Sequence, residues 1–271
     1  IKGIQRDLSL KSFLRNLLFP IRFVLSYFKS VYLIIKFRPK IIIGTGGYSS
    51  GMPLLAGIHM RIPTLIQDQN SIPGLITRKL NKKITVLCLA YKNAMSYFNH
   101  NRIFLTGNPI RNKLICINKN EAKNKLNLDL NKNMIFILGG SQGSLSINNH
   151  IINNAKYYNK NFNIFLQCGE NNFNNVNKKL KNYKNIVVKQ FIDDMSTIYS
   201  ASDLVISRAG ALAISELCFM KKAFILIPYL YAADNHQELN AQEIEVQKSC
   251  YIIREHELKT GSLEKLVRLL F

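Results

Sequence analysis

Apolar residues recur at helical spacing along the first forty positions. Leu10 to Phe19 and Ile21 to Phe37 are apolar-rich, and Pro20 stands where it can begin the second of two helices. Ile21, Val24, Leu25, Phe28, Val31, Tyr32 and Ile35 follow the i, i+3, i+4, i+7 rule, which predicts one buried stripe. Phe23, Tyr27, Ile34 and Phe37 fall off that stripe, beside Lys11, Arg15, Arg22, Lys29 and Lys36. A second apolar face flanked by cations suits a helix lying on an anionic membrane surface. It equally suits a helix buried on two sides between a sheet and its neighbours.

From residue 41 the period changes to short β-rich runs that end in turns and alternate with helix-length segments. Ile41–Ile43, Thr64–Gln67, Thr85–Leu89 and Ile103–Thr106 form a first series that closes at Gly107-Asn108-Pro109. The polar, Lys/Asn-rich and weakly helical stretch Asn112 to Asn133 reads as a linker between the halves. Met134–Leu138, Asn163–Cys168, Ile186–Lys189, Leu204–Ser207, Ala223–Ile227 and Cys250–Ile253 form a second series. Such alternation implies βαβ units and parallel sheets. The expected architecture is α/β: two Rossmann-like domains facing a cleft, 1–113 and 114–271. The Asn-rich segment Asn171–Asn185 is expected to be a solvated helix or loop.

Composition changes this picture in three places. With 47% apolar residues in 271, a sizeable core can be buried. A net charge of +21 points to an anionic partner: nucleic acid, a membrane surface or phosphorylated substrates. The abundance of Lys, Asn and Ile throughout offers a second explanation, a genome-wide compositional bias. No recognition motif or basic–aromatic array supports nucleic-acid binding. Cys88, Cys116, Cys168, Cys218 and Cys250 form no C-x-x-C and are expected as core residues of a reduced cytosolic protein. The histidines lack ligand spacing, so no metal site is expected.

Chemistry concentrates at the ends of the strands. Gly139-Gly140-Ser141-Gln142-Gly143 follows a strand and precedes a helix, which lets backbone N–H groups and the Ser141 hydroxyl approach a phosphate. It is neither a P-loop nor G-x-G-x-x-G, and alone it is also an ordinary turn. Gly44-Thr45-Gly46-Gly47-Tyr48-Ser49-Ser50-Gly51 has the same character in the first half, so two glycine turns bracket space for a diphosphate. Ser207 to Glu216 is a further strand–turn–helix junction. There Glu216 offers several acceptor sites to a ribose diol, or simply complements a helix N-terminus. Asp234-Asn235-His236-Gln237-Glu238 is a polar loop suited to sugar hydroxyls, and Asp68 is a general base only if it faces the cleft, otherwise a solvated loop residue.

Taken together, Gly44–Gly51, Gln69-Asn70 with Pro73-Gly74, Thr106–Arg111, Gly139–Gly143, Phe191 to Met195, Arg208–Glu216, and Asn235–Gln237 with Asn240-Ala241 resemble the MurG family. These are the undecaprenyl-diphospho-muramoylpentapeptide N-acetylglucosaminyltransferases, and the resemblance spans nearly the whole chain. It implies a GT-B fold with no required metal or cofactor, acting at the cytoplasmic face of the bacterial inner membrane. The implied reaction is inverting transfer of N-acetylglucosamine from its UDP carrier to the C4 hydroxyl of a lipid-linked MurNAc-pentapeptide. By matching motif, Ser141 contacts the diphosphate and Ile192 offers backbone groups to uracil. Arg111 contacts the nucleotide, Ala211, Leu212, Ala213, Ile214 and Ser215 line it, Glu216 holds ribose, and Asn70 and Gln237 bind the sugar. In the same reading the basic and apolar face of the early helices meets the anionic inner leaflet.

Three departures from the family pattern shape the expectations. The N-terminal Gly-Gly-Thr-Gly-Gly-His loop is absent, so the chain is expected to start after one or two βα units, about 60 residues at ~30 per unit. The usual His-Glu-Gln-Asn reads Gln67-Asp68-Gln69-Asn70, leaving the catalytic base unassigned. The closing helices beyond Phe271 are also missing from the expected pattern. Alternatives are a non-catalytic UDP-sugar-binding remnant and another UDP-sugar GT-B transferase or epimerase; the Gly-Gly-Tyr and Gly-Asn-Pro-Ile-Arg blocks favour the cell-wall branch.

Overall fold

The fold is that of a computed structural model, which describes residues 19–99 and 101–271. The expected helix Leu10 to Phe19 lies outside them except for its last residue. The chain divides into two compact units, Ile1–Asn108 and Pro109–Phe271.

In the first unit the order is α1 (Phe19–Phe37), β1 (Ile42–Gly44), α2 (Gly47–His59), β2 (Thr64–Asp68), α3 (Leu75–Leu80), β3 (Val86–Leu89), a 3-10 turn at Lys92–Tyr97 and β4 (Ile103–Leu105). The four strands pair in parallel in chain order. Leu54, Ile66, Leu87 and Leu89 are fully buried and form the centre of this unit's core.

In the second unit come α4 (Lys119–Lys125), β5 (Met134–Leu138), α5 (Leu145–Asn153), α6 (Ala155–Asn161), β6 (Asn163–Gln167), α7 (Phe173–Leu180), β7 (Ile186–Lys189) and α8 (Met195–Ala201). They are followed by β8 (Leu204–Ser207), α9 (Ala211–Phe219), β9 (Ala223–Leu226), α10 (His236–Glu245), β10 (Tyr251–Ile252) and α11 (Ser262–Leu270). The segment read as a linker contributes α4, whose N-cap Asn118 accepts from the N–H groups of Asn120 and Glu121. All six strands are parallel, in the order β10-β9-β8-β5-β6-β7. Every residue of β5, β6 and β8 is buried, as expected of central strands covered on both faces. From β5 the sheet grows in one direction through β6 and β7, and in the other through β8, β9 and β10. The topological switch point therefore lies between β5 and β8, where doubly wound sheets bind ligands at the strands' carboxyl ends.

Three expectations need correction. Ile21, Val24, Leu25, Phe28, Tyr32 and Ile35, read as a buried stripe, are exposed, with Leu25 and Phe28 each at 63%. Helix α1 instead packs on α2 through Ser26, Tyr27, Ser30, Val31 and Ile34. Small residues at a helix contact let two backbones approach, and Ser30 satisfies its hydroxyl on the Ser26 carbonyl at 2.8 Å. Tyr27 meets His59 Nδ1 at 2.7 Å. The aliphatic count thus selected the wrong face. Cys116 and Cys218 are exposed rather than in the core, because their positions fall on outward-facing parts of the loop and helix that carry them. No described helix is long and apolar enough to cross a membrane.

Asp68 is neither solvated nor poised as a base. It is 2% exposed and accepts three hydrogen bonds: from Gly74 N–H at 2.9 Å, from the Thr77 hydroxyl at 2.5 Å and from Asn70 N–H at 3.3 Å. It organises the loop that carries Gln69 and Asn70. Asp68→Ala leaves these donors unpaired beneath α3 and is expected to cost roughly 2–4 kcal/mol of stability in chemical denaturation; unchanged stability would contradict this structural role.

Candidate functional site

The second unit carries a cavity of about 740 Å³ at the switch point of its sheet. Residues 138–146, Ser207, Arg208, Gly210, Ala213, Tyr229, Tyr231, Gln237 and Glu255 line it, together with Asn171 and Asn172. These two asparagines belong to the segment read as a solvated helix or loop. The cavity therefore joins three strand tips, those of β5, β8 and β9, with a turn after β6.

The turn between β5 and α5 has only one way to fit. Gly140 and Gly143 take φ of 86° and 77°, the left-handed region. A Cβ on Gly143 would overlap the Cys168 carbonyl, and one on Gly169 (φ 82°) would overlap the Gln142 carbonyl. Two backbones thus touch where side chains are excluded. Asn148 of α5 reinforces the contact by donating to the Cys168 carbonyl at 3.0 Å. Ser144 caps the helix, its hydroxyl accepting from Ile147 N–H. Ser141 is left exposed on the cavity wall, next to the N–H groups at the start of α5.

Gln167 braces the same region from the end of β6. Its amide donates to the Gly140 carbonyl at 3.1 Å and accepts from Ile192 N–H at 3.1 Å. The Ile192 N–H is consequently engaged, which leaves its carbonyl as the group this residue can offer a base.

Arg208 enters at the tip of β8. Its guanidinium is buried and donates to the carbonyls of Ile227 and Pro228, both at 3.1 Å, and to the Ser144 and Ser146 hydroxyls at 2.7 and 3.0 Å. It also pairs with Glu255, and it lies over the Tyr229 ring at 5.3 Å. Of the matched site residues, Ser141, Ala213 and Gln237 share the cavity lining. Gln237 accepts from Tyr229 N–H at 3.0 Å, which fixes the loop where Asp234 and Asn235 both take left-handed backbone.

Glu216 lies one turn beyond Ala213, on the same face of α9. It is buried and pairs with Arg111 Nε at 2.9 Å, while Tyr199 donates to its other oxygen at 3.1 Å. Burial pushes the Tyr199 hydroxyl well above the ordinary tyrosine range and the Glu216 charge pushes it further, so it stays a proton donor. Leu212 is exposed, Ala211 and Ile214 face the core, and the Ser215 hydroxyl bonds back to the Ala211 carbonyl. Asn70 belongs to the first unit, in the loop held by Asp68; Gln67 there donates to Asn108, which donates to the Gln69 carbonyl at 3.1 Å.

Arg208 entered the sequence reading only as the first residue of the Arg208–Glu216 block, and Ser144, Ser146, Gln167 and Glu255 carried no role of their own there. The signal for Arg208 was its position directly after a strand. Nothing marked Glu255, which is 47 residues away in the chain.

A doubly wound sheet with a glycine turn and a helix N-terminus at its switch point defines a nucleotide-binding unit, and family comparison gives its class. The chain matches the glycosyltransferase family 28 N-terminal domain over residues 2–87 and the C-terminal domain over residues 134–271, and it belongs to that family. A UDP-N-acetylglucosamine–N-acetylmuramyl-(pentapeptide) pyrophosphoryl-undecaprenol N-acetylglucosamine transferase of Flavobacterium psychrophilum is 38% identical over 261 residues, 95% of this chain and 70% of the relative. The transferase of the same name from Thermodesulfovibrio yellowstonii is 38% identical over 267 residues, covering 97% and 70%. The crystal structure of Acinetobacter baumannii MurG superposes with a TM-score of 0.74 at 26% identity, covering 93% of this chain and 70% of that one. Within family 28 the chain is a member of the MurG family, with its GT-B fold class of paired Rossmann-like units.

Gly143→Ala forces both a left-handed alanine and a clash with the Cys168–Gly169 backbone just after β6. It is expected to cost more than about 3 kcal/mol, read as loss of the cooperative thermal transition or a large fall in Tm. Gly140→Ala, with open space around its Cβ, is expected to cost only about 1–2 kcal/mol. Equal effects would refute the claim that the Cys168 contact sets the turn.

Proposed function

We propose that this chain transfers N-acetylglucosamine from UDP-N-acetylglucosamine to the C4 hydroxyl of lipid-linked MurNAc-pentapeptide, with inversion at the anomeric carbon. Membership of the family supports the reaction, and one observation carries the donor site: the Gly139–Gly143 turn opens into a cavity at the sheet's switch point. The diphosphate lies against this turn. Its developing charge, as UDP leaves, is received by the N–H groups at the start of α5 and by the Ser141 hydroxyl, dipoles already fixed by the backbone contact at Gly143. Glu216, held by Arg111 and Tyr199, takes the ribose hydroxyls on its remaining acceptor sites. The Ile192 carbonyl meets uracil, Arg111 meets the nucleotide, and residues 211–215 form the wall beside it. Asn70 and Gln237 bind the sugar.

The exposed face of α1 is the membrane-facing surface in this reading. Leu25, Phe28, Tyr32 and Ile35 stand outward with Arg22, Lys29 and Lys36 on the same helix, a combination that suits the anionic cytoplasmic leaflet of the bacterial inner membrane.

Ser141→Ala and Glu216→Ala are each expected to weaken UDP binding by roughly 5- to 30-fold in calorimetry, the scale of one or two lost hydrogen bonds. Undiminished affinity in both variants would remove the donor-site assignment. Leu25→Asp with Phe28→Asp is expected to abolish pelleting with vesicles containing anionic lipid while UDP affinity is kept; persistent pelleting would exclude α1 as the contact surface.

A further inference from the structure

Buried Arg208 and half-buried Glu255 form an ion pair inside the cavity assigned above to the diphosphate. Both line its wall. The guanidinium is fixed by carbonyls of the β9 tip on one side and by the cap and first turn of α5 on the other, through Ser144 and Ser146. It therefore ties the helix whose N-terminus faces the ligand to a neighbouring strand tip. Its counter-charge comes from Glu255, whose Oε1 accepts both from Arg208 and from the Ser146 hydroxyl, the latter at 2.5 Å. A carboxylate is an unexpected lining for a site that takes an anion. It repels the ligand's phosphates, and it partly cancels the field of the one buried guanidinium among the described residues that line the cavity.

We infer that Arg208 is the positioning residue of the diphosphate turn and that Glu255 is its counter-ion, holding down the affinity for UDP. The inference rests on the donor-site reading. Arg208 orients Ser144 and Ser146, and with them the start of α5, while its positive charge favours the diphosphate. Glu255 keeps that charge paired when the site is empty, because an unpaired buried guanidinium is costly. When UDP is the product, the same carboxylate opposes its retention and speeds release. Tight holding of both substrate and product lowers turnover once release limits the rate. Glu255 therefore trades affinity for exchange.

Glu255→Gln separates this electrostatic role from a structural one. The amide keeps an oxygen at Oε1 for Arg208 and Ser146 and removes only the charge. UDP is expected to bind about 3- to 10-fold more tightly at low ionic strength, with the gain shrinking as salt rises. Uridine, which lacks phosphate, is expected to bind as before. In steady-state transfer KM for the donor falls and kcat falls with it, as UDP leaves more slowly. Arg208→Gln is expected to weaken UDP at least about 10-fold with a smaller change for uridine, and Arg208→Lys to recover part of the loss because it keeps charge without the fork. UDP affinity that is unchanged or weaker in Glu255→Gln, or a gain shared equally by uridine, overturns the inference. Ser141→Ala measured alongside locates the failure. If Ser141→Ala weakens UDP while Glu255→Gln does not tighten it, the counter-ion role alone falls. If neither variant responds, the diphosphate assignment falls with it.

Discussion

The second unit is organised around a contact between two pieces of backbone. Gly143, at the end of the turn after β5, lies against Cys168 and Gly169, which continue β6, at a distance that leaves no room for a side chain on either glycine. That contact fixes where α5 begins. It also aims the helix's unpaired N–H groups into the cavity rather than toward solvent. The supporting bonds, from Asn148 to the Cys168 carbonyl, from Gln167 to the Gly140 carbonyl and from the Ile192 N–H to Gln167, all involve side chains of the two elements that the contact brings together. Rigid dipoles of this kind stabilise developing negative charge without having to reorganise during reaction.

Charge is laid over this frame as two acid–base pairs. One joins Arg111 to Glu216, with Tyr199 as a third, buried member. The other joins Arg208 to Glu255 through the serines of α5. In both, a carboxylate is held by an arginine and at least one hydroxyl; Glu255 lines the cavity, and Glu216 sits one helical turn beyond Ala213, which lines it. Each pair has one buried charge, Glu216 or Arg208, which its partner neutralises, so the energetic cost of desolvation is met within the protein. The net charge of +21 does not reside in these pairs, since each is neutral. Its excess lies on exposed lysines and arginines, including those along α1, where it acts on the surroundings rather than on the site.

Helix α1 shows how a periodic pattern can be right about the element and wrong about its orientation. Counting aliphatic positions chose Ile21, Val24, Leu25, Phe28 and Ile35 as the buried side, yet the helix packs through Ser26, Ser30 and Ile34. Apolar periodicity reports that one face differs from another. It does not report which face meets a neighbour, because close helix packing rewards small residues that a hydrophobicity count passes over. Asp68 was misread for a related reason: its three donors come from residues two, six and nine positions further on, and only the folded loop places them around one carboxylate.

The sequence by itself determined all ten described strands to within a residue or two at each end, their parallel class, and the turns in which a ligand would be sought. Those features are local: apolar run length, glycine where backbone must turn left-handed, and strand-to-helix junctions all act over a few neighbouring residues. The family motifs added names for chemistry at the same positions. The tertiary structure alone decided the strand order that puts the switch point between β5 and β8, the pairing of Arg208 with Glu255 and of Arg111 with Glu216, and the outward face of α1. Each of these depends on residues distant in sequence meeting in space, with partners chosen by packing and by the need to neutralise buried charge.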